Sequence, residues 1–396
     1  MTEAVEQIAI WKSPLHETHA RLGATMIERD GWSVPESYGD VLFEYAAVRE
    51  GGAGLIDLSP RGRILVSGTE AVQFLNGLIT NDMKTLAANS WMPAAFPNVQ
   101  GRLIAGIRVV RLNDDQTGQT TPAGLPRRGP RENAGPTFLI DTEPATHERV
   151  LKTIERFTLA GDFRVTDITT QTALLSVQGN KAINVVRSVL GEGATGIETS
   201  GAMELSWQHG GTTAAVTVIR ATHTSEDGFD LIVNADQAGT LWDALHDAGA
   251  RPVGHNALEI LRVEAGLPRY GVDMDDTNVV TETGLDDAVS YTKGCYVGQE
   301  IIARIKYRGH VAKKLSGLMF DPAQKVAKSA VIKSADGKEI GRTTSVTYSP
   351  HLGRTIALGY LKYDYLAPGT AVKIIAGDLE LSAQVTELPF VRATAP

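Results

Sequence analysis

The chain has 396 residues, 42% hydrophobic and 21% charged, which is ordinary for a folded protein with two or three domains. Its net charge of -8 argues against broad nucleic-acid binding. No stretch approaches the roughly 20 apolar residues that span a bilayer, and the N-terminus lacks the basic and apolar regions of a signal peptide. Because the chain also has a single cysteine, we expect a cytoplasmic protein without membrane association.

Hydrophobic periodicity predicts alternating strands and helices through residue 264. Strands or strand-rich segments are expected over 63–67, 103–112, 163–178, 214–221 and 229–233. Helices are expected over 70–75, 143–158, 180–190 and 255–264. The turn Ser225-Glu226-Asp227-Gly228 predicts that the last two strands form an antiparallel pair.

Segment 113–136 differs in composition from its surroundings. It is rich in Gly, Pro, Thr, Gln and Arg and lacks an apolar pattern. Such a segment buries too little apolar surface to offset its ordering entropy, so we expect a long mobile loop without a catalytic role. After about residue 312, short strands separated by Asp336-Gly337, Ser349-Pro350 and Pro368-Gly369 predict a small barrel.

Cys295 lies in the sequence Lys293-Gly294-Cys295-Tyr296-Val297-Gly298-Gln299-Glu300, called the cysteine motif below. A lone thiol can neither close an intramolecular disulfide nor hold an iron–sulfur cluster by itself. Nearby Lys293 and a helix predicted to begin after the motif and end at Gly309 would both favour the thiolate. The alternative is a buried cysteine that acts as a small hydrophobic residue.

A basic segment begins in the motif and continues after it. Only Glu300 opposes its positive residues, which are Lys293, Arg304, Lys306, Arg308, Lys313 and Lys314. The segment could bind an anionic ligand such as a polyglutamate tail, or it could be a solvated helix face. The nine histidines show no metal-ligand spacing, so no metal site is predicted. A cysteine hydrolase would need a histidine beside Cys295, with His255 and His310 as candidates.

The cysteine motif followed by Ala303-Arg304 resembles the hallmark of the YgfZ-like folate-binding proteins. That family supports iron–sulfur cluster maturation and is related to the T-protein (aminomethyltransferase) of the glycine cleavage system. Further segments similar to this superfamily are Gly31-Trp32-Ser33-Val34-Pro35, Gly54-Leu55-Ile56-Asp57-Leu58-Ser59, Leu261-Arg262-Val263-Glu264-Ala265-Gly266-Leu267 and Ile356-Ala357-Leu358-Gly359-Tyr360. The resemblance implies an α+β ring of three domains around a pterin cleft. Residues 1–311 would form two interlocking folate-binding subdomains, and 312–396 a C-terminal β-barrel.

The resemblance also implies the ligands and the residues that bind them. Tetrahydrofolate or a derivative would be the cofactor, and iron–sulfur client or assembly proteins would be the partners. Glu226 would hold the pterin edge and Arg262 would lie near the ring, although a turn residue and a surface arginine are the alternatives. The cysteine motif would supply Cys295, whose thiol would line the pterin cleft, and Lys293 as catalytic residues, and Tyr296, Gln299 and Glu300 as cofactor-binding residues.

Segment 96–107 departs from the T-protein pattern. T-proteins carry an aspartate pair here that is thought to act on the folate nitrogen, whereas this chain has no carboxylate in the segment. Loss of general acid–base catalysis, typically worth about 10²–10⁴-fold, argues against efficient aminomethyl transfer. The sequence therefore predicts a folate-binding accessory protein for iron–sulfur clusters that uses Cys295. The alternative is a folate-dependent aminomethyltransferase or methyltransferase.

Overall fold

A computed structural model describes residues 10–112, 135–157, 161–320, 328–377 and 379–393. Most of the segment expected to be a mobile loop, residues 113–134, lies outside the described residues, so that expectation stays a prediction. No helix within these ranges is both long enough and apolar enough to cross a membrane.

The described residues form strands and helices in the following order along the chain. The strands are β1 (Trp11–Lys12), β2 (Thr25–Arg29), β3 (Trp32–Ser37), β4 (Gly54–Asp57), β5 (Gly62–Ser67), β6 (Ser90–Pro97), β7 (Leu103–Arg111), β8 (Thr137–Thr142), β9 (Arg164–Asp167), β10 (Thr172–Gln178), β11 (Ala202–His209), β12 (Thr212–Arg220), β13 (Gly228–Asn234), β14 (Arg251–Pro252), β15 (Lys313–Phe320), β16 (Val331–Ser334), β17 (Glu339–Ser349), β18 (Arg354–Lys362), β19 (Ala371–Ala376) and β20 (Leu379–Thr386). The helices are α1 (His16–Arg21), α2 (Val41–Arg49), α3 (Ala71–Leu78), α4 (Pro144–Glu155), α5 (Ala182–Leu190), α6 (Ala238–Asp247), α7 (His255–Glu264) and α8 (Gln299–Arg308). The predicted strands and helices are confirmed, with ends that differ by a few residues.

Two large sheets form the body of the molecule. One has six strands in the order β11-β12-β13-β10-β4-β14, and the other has five in the order β6-β7-β8-β5-β9. The predicted antiparallel pair is β12 with β13, in which Arg220 lies opposite Phe229.

Each large sheet has helices on one face and shares a core with the other sheet on its second face. Trp242 of α6 is fully buried against the six-stranded sheet, and Leu75 of α3 against the five-stranded one. Ile56, Leu65 and Leu139 come from both sheets and belong to a single buried cluster. This shared core fixes the relative position of the two sheets along the cleft described below.

A small N-terminal sheet, in the order β1-β3-β2, precedes the large ones. Asp30 and Gly31 connect β2 to β3 with φ values of 51° and 77°. An Asp-Gly pair suits a two-residue hairpin turn, which requires positive φ at both positions. The turn places Arg29 opposite Trp32 at the end of the hairpin.

The C-terminal strands form a closed barrel in the order β15-β18-β17-β16-β19-β20. Gly337, with a φ of 87°, supplies the predicted turn between β16 and β17. The barrel packs against α7, where Arg262 donates a 2.6 Å hydrogen bond to Ser345, and Ser349 donates to Glu264. The predicted α+β class with a C-terminal barrel is confirmed, while the domain boundary after residue 311 stays a prediction.

Candidate functional site

Lys293 of the cysteine motif is buried and is held by backbone carbonyls. Its Nζ donates to the oxygens of Asn76, Ile79 and Asn81 at 2.8, 2.8 and 2.6 Å. These carbonyls lie at the end of α3, where acceptors lack intrahelical partners. Burial lowers the pKa of Lys293 to about 8, although Asp82 opposes the shift. Because an ammonium group has three N–H donors, Lys293 has none left for a ligand.

Cys295 is a free, exposed cysteine. The predicted helix after the motif is α8, which begins at Gln299 after Gly298, so the thiol lies just before its first turn. Among the described residues, neither His255 nor His310 forms a hydrogen bond with the sulfur; His310 stacks on Tyr363 at 3.8 Å between ring centroids. The geometry therefore does not support the cysteine-hydrolase alternative.

The rest of the motif packs on the turn between β6 and β7. Tyr296 is buried, which raises its pKa to about 12. A Cβ on Gly298 would lie 2.4 Å from the carbonyl oxygen of Asn98, so only glycine allows this close approach. Gln299 is half-buried and Glu300 is exposed. The assignment of Tyr296, Gln299 and Glu300 to cofactor binding stays a prediction.

A cleft of about 320 Å³ lies elsewhere on the molecule. Its wall combines residues of both large sheets, α7 and the hairpin between β2 and β3. Among the described residues, none of 293–300 belongs to this wall. Contrary to the sequence-based expectation, the Cys295 thiol does not line the cleft, because Lys293 and Gly298 hold the motif against α3 and the β6–β7 turn.

The segment that lacks the T-protein aspartates borders the cleft. Gly106 of β7 is part of the wall, whereas the neighbouring Ala105 is fully buried in the core. A Cβ on Gly106 would lie 3.3 Å from Cδ1 of Leu285. This part of β7 therefore presents backbone to the cleft and supplies no acid–base group.

Charged residues in the wall and directly behind it form a continuous chain. Arg108 Nη2 lies 2.6 Å from Asp230 and 2.7 Å from Asp141. Arg61 lies 2.7 Å from Asp141, and His223 Nε2 lies 2.9 Å from Asp230. Burial alone would raise the pKa of Asp230, but His223 and Arg108 outweigh it and hold the pKa below its usual range. Asp230 is therefore ionised at neutral pH.

The contact with Asp230 determines what His223 can do. A neutral imidazole that donates from Nε2 keeps a free lone pair on Nδ1. His223 belongs to the cleft wall, and Asp230 would stabilise the imidazolium formed when Nδ1 takes up a proton. The pair therefore fixes an imidazole of the cleft wall and leaves its Nδ1 available.

Arg262 lies in the cleft wall, but the protein already satisfies its donors, and its assignment to cofactor binding stays a prediction. Nε and Nη2 donate to Glu259, Nη1 donates to Asp273 and the Leu267 carbonyl, and Nη2 also donates to Ser345. Burial alone would raise the pKa of Glu259, but the contacts with Arg262, together with the charges of Arg269 and Arg29, lower it to about 2. In this arrangement, Arg262 positions an ionised Glu259 in the cleft.

Glu226 is not among the residues that form the cleft wall. It is 3% exposed and accepts a 2.7 Å hydrogen bond from Arg49 Nη1. Arg49 Nη2 also donates to Glu264, which accepts from Tyr45. The structure thus places Arg262 in the cleft wall but Glu226 in a separate buried cluster. The role of Glu226 as a folate ligand stays a prediction.

Sequence reasoning missed Arg108, Asp141, His223 and Asp230. Three of them are charged residues within apolar strands, where burial is costly unless a partner is present. Arg108 also shares a strand face with Gly106, because side chains alternate along a strand. Charged residues within apolar strands were therefore a usable signal of a buried polar site. Which of them pair across the two sheets can be seen only in the folded structure.

Two facing sheets, a charged cleft and a docked barrel define a mixed α and β protein with a central binding cleft. Residues 15–127 and 133–293 match the GCVT N-terminal domain, and residues 313–392 match the glycine cleavage T-protein C-terminal barrel domain. The chain belongs to the glycine cleavage T-protein family.

Full-length relatives agree with this membership. An aminomethyltransferase of Symbiobacterium thermophilum is 32% identical, with 96% of this chain and 97% of that protein covered. One of Shouchella clausii is 31% identical, with 97% and 98% covered. The crystal structure of glycine cleavage system aminomethyltransferase T from Bartonella henselae has a TM-score of 0.84 at 24% identity, with 96% and 98% covered, and shares the fold. These matches support the T-protein family as a whole and do not single out its iron–sulfur branch.

Proposed function

We propose that the chain binds a reduced folate in the cleft and catalyses folate-dependent one-carbon transfer of the aminomethyltransferase kind. Family membership supports folate binding, because T-proteins use tetrahydrofolate as a co-substrate. The full-length relatives named aminomethyltransferase support the reaction class. The observation that carries the proposal is His223 in the cleft wall, whose Nε2 lies 2.9 Å from the buried Asp230.

This pair would replace the missing aspartate. As the new C–N bond forms, the bond between the one-carbon unit and its donor breaks and the donor atom keeps the electron pair, while the folate nitrogen that accepts the unit loses a proton. Gly106 cannot take this proton, whereas Nδ1 of His223 can, with Asp230 stabilising the charge that results.

Titration calorimetry with tetrahydrofolate, followed by a turnover assay with an aminomethyl donor of the glycine cleavage system, tests the proposal. We expect binding and a one-carbon folate product from the wild type. His223→Gln should bind tetrahydrofolate but lose turnover. Absence of binding would refute the folate assignment, and binding without product would refute the transfer reaction.

A second candidate is the predicted folate-binding accessory role in assembly or repair of iron–sulfur clusters. Two observations favour it: Gly106 brings no carboxylate to the cleft, and Cys295 is exposed within the cysteine motif. This candidate places the chain in the cytoplasm, with client or assembly proteins as partners. It predicts folate binding without turnover, and reduced iron–sulfur enzyme activity when Cys295→Ser replaces the wild type in cells.

A further inference from the structure

One end of the cleft is basic. Arg29 ends β2, His255 begins α7 and Arg269 follows that helix, and all three lie in the cleft wall. Arg29 Nη1 lies 3.3 Å from His255 Nδ1. The N-terminus of α7 adds its partial positive charge at the same end.

Carboxylates also lie near this end, but they leave some of its donors unpaired. Glu259 and Asp273 are bonded to Arg262, and Arg269 Nη2 is 3.9 Å from Glu259. In the described part of the chain, Arg29 forms no ion pair with a carboxylate, although Asp30 lies in the same wall. Burial and the charge of Arg269 lower the pKa of Arg29, which is the effect expected when like charges face each other.

Two donors at this end have no partner. Arginine can only donate, so His255 accepts at Nδ1 and carries its proton on Nε2. That Nε2 is closed off from solvent and has no hydrogen-bond partner within the described ranges, and the same is true of Nε of Arg269. Burial, followed by the charge of Arg29, lowers the pKa of His255 to about 4, so the ring is neutral near pH 7. Unpaired buried donors are costly and indicate that a ligand acceptor completes them.

We propose that Arg29, His255 and Arg269 form a carboxylate-binding subsite at this end of the cleft. Two arginines and an imidazole N–H match the acceptors of a carboxylate. The carboxylate belongs either to the glutamyl tail of the folate or to a separate small carboxylic acid that binds beside it. The subsite deepens the folate-binding proposal above and, where folate is the ligand, rests on it.

Calorimetry with Arg29→Gln and Arg269→Gln distinguishes the two sources. If the folate tail is bound, each variant should weaken tetrahydrofolate binding roughly 10- to 150-fold, the equivalent of one charge-assisted hydrogen bond. Binding of 6-methyltetrahydropterin, which has no carboxylate, should not change. Arg21→Gln removes an exposed arginine that pairs with Asp243 and is the matched control.

Acetate provides a test that does not depend on folate. At constant ionic strength, acetate should raise the melting temperature of the wild type more than chloride does, and this difference should disappear in Arg29→Gln and Arg269→Gln. Competition between acetate and tetrahydrofolate identifies the tail as the ligand, whereas simultaneous binding identifies a second acid. If tetrahydrofolate fails to bind but acetate acts as described, the folate proposal is refuted and the carboxylate subsite is supported. If acetate has no specific effect and both variants bind tetrahydrofolate normally, the subsite is refuted.

Discussion

Arg108 in the cleft wall and the buried Asp230 behind it join the two large sheets. Arg108 is part of β7 in the five-stranded sheet, and its Nη2 lies 2.6 Å from Oδ2 of Asp230 on β13 in the six-stranded sheet. Both residues are buried, and Asp230 also holds His223. The same ion pair therefore links the sheets and fixes the imidazole that we propose handles the proton.

Breaking this pair should destabilise the fold. Arg108→Met removes the cation from two buried carboxylates, and loss of one partner of a buried pair typically costs about 3–5 kcal/mol. Urea unfolding measures the change. Arg21→Met, which removes an exposed partner of Asp243, should cost at most about 1 kcal/mol. Similar losses in the two variants would contradict the structural role of Arg108.

The same pair should give the stability a defined pH dependence. The pKa of Asp230 is lower in the folded protein than in the unfolded chain, so its contribution is present above the unfolded pKa and is lost as the pH falls. The difference in unfolding free energy between wild type and Arg108→Met should therefore shrink below about pH 4. A difference that does not change on acidification would show that Asp230 is not the ionised partner.

Lys293 should prove structural. Lys293→Met removes three hydrogen bonds and leaves the carbonyls of Asn76, Ile79 and Asn81 unpaired, which should cost at least about 1.5–3 kcal/mol in unfolding free energy. Tetrahydrofolate affinity at low temperature should not change, because Lys293 lies outside the cleft wall. Lys152→Met, on an exposed helix face, is the control. A stable variant with lost activity would restore the catalytic role.

The sequence predicted the strands and helices because periodicity reports which face of each element is buried. The barrel was equally accessible, since turn pairs such as Asp336-Gly337 separate its short strands. The position of the cysteine motif relative to the cleft could not be predicted in this way. Whether Cys295 reaches the cleft depends on contacts between Lys293 and α3 that span more than 200 residues of sequence.

Pairing partners set a similar limit for Glu226 and Arg262. Motif resemblance marks both positions as candidate ligands. It does not show that Glu226 forms an ion pair with Arg49, or that Arg262 forms ion pairs with Glu259 and Asp273. Long-range ion pairs of this kind depend on tertiary structure, and one sequence carries no record of them.

Glu226 should affect stability more than binding. Glu226→Gln replaces an ionised partner of Arg49 with a neutral one, so we expect a loss of about 1–3 kcal/mol in unfolding free energy. Calorimetry should show tetrahydrofolate affinity within about twofold of wild type, a difference of less than 0.5 kcal/mol. Arg262→Ala should weaken binding much more, since it releases Glu259 in the cleft. A large loss of affinity in Glu226→Gln would instead support Glu226 as a ligand.

Cys295 should react independently of the cleft. The thiol is exposed and lies outside the cleft wall, so iodoacetamide should alkylate it at the same rate with and without saturating tetrahydrofolate. Cys295→Ser should keep the wild-type melting temperature and folate affinity, and it serves as the control for labelling elsewhere. Protection by folate would show that the motif moves to the cleft when ligand binds.

The last prediction concerns segment 96–107, in which T-proteins carry a carboxylate and this chain does not. If His223 replaces that group, His223→Gln should lower kcat by about 10²–10⁴-fold with little change in folate affinity. Gly106→Asp in the same variant should then recover part of the lost rate, because the new carboxylate enters the cleft from β7. Leu285 must move, since a Cβ at residue 106 lies 3.3 Å from its Cδ1, so Leu285→Ala is added to make room. His223→Gln with Leu285→Ala alone is the matched control. Full turnover in His223→Gln would exclude the histidine as the base.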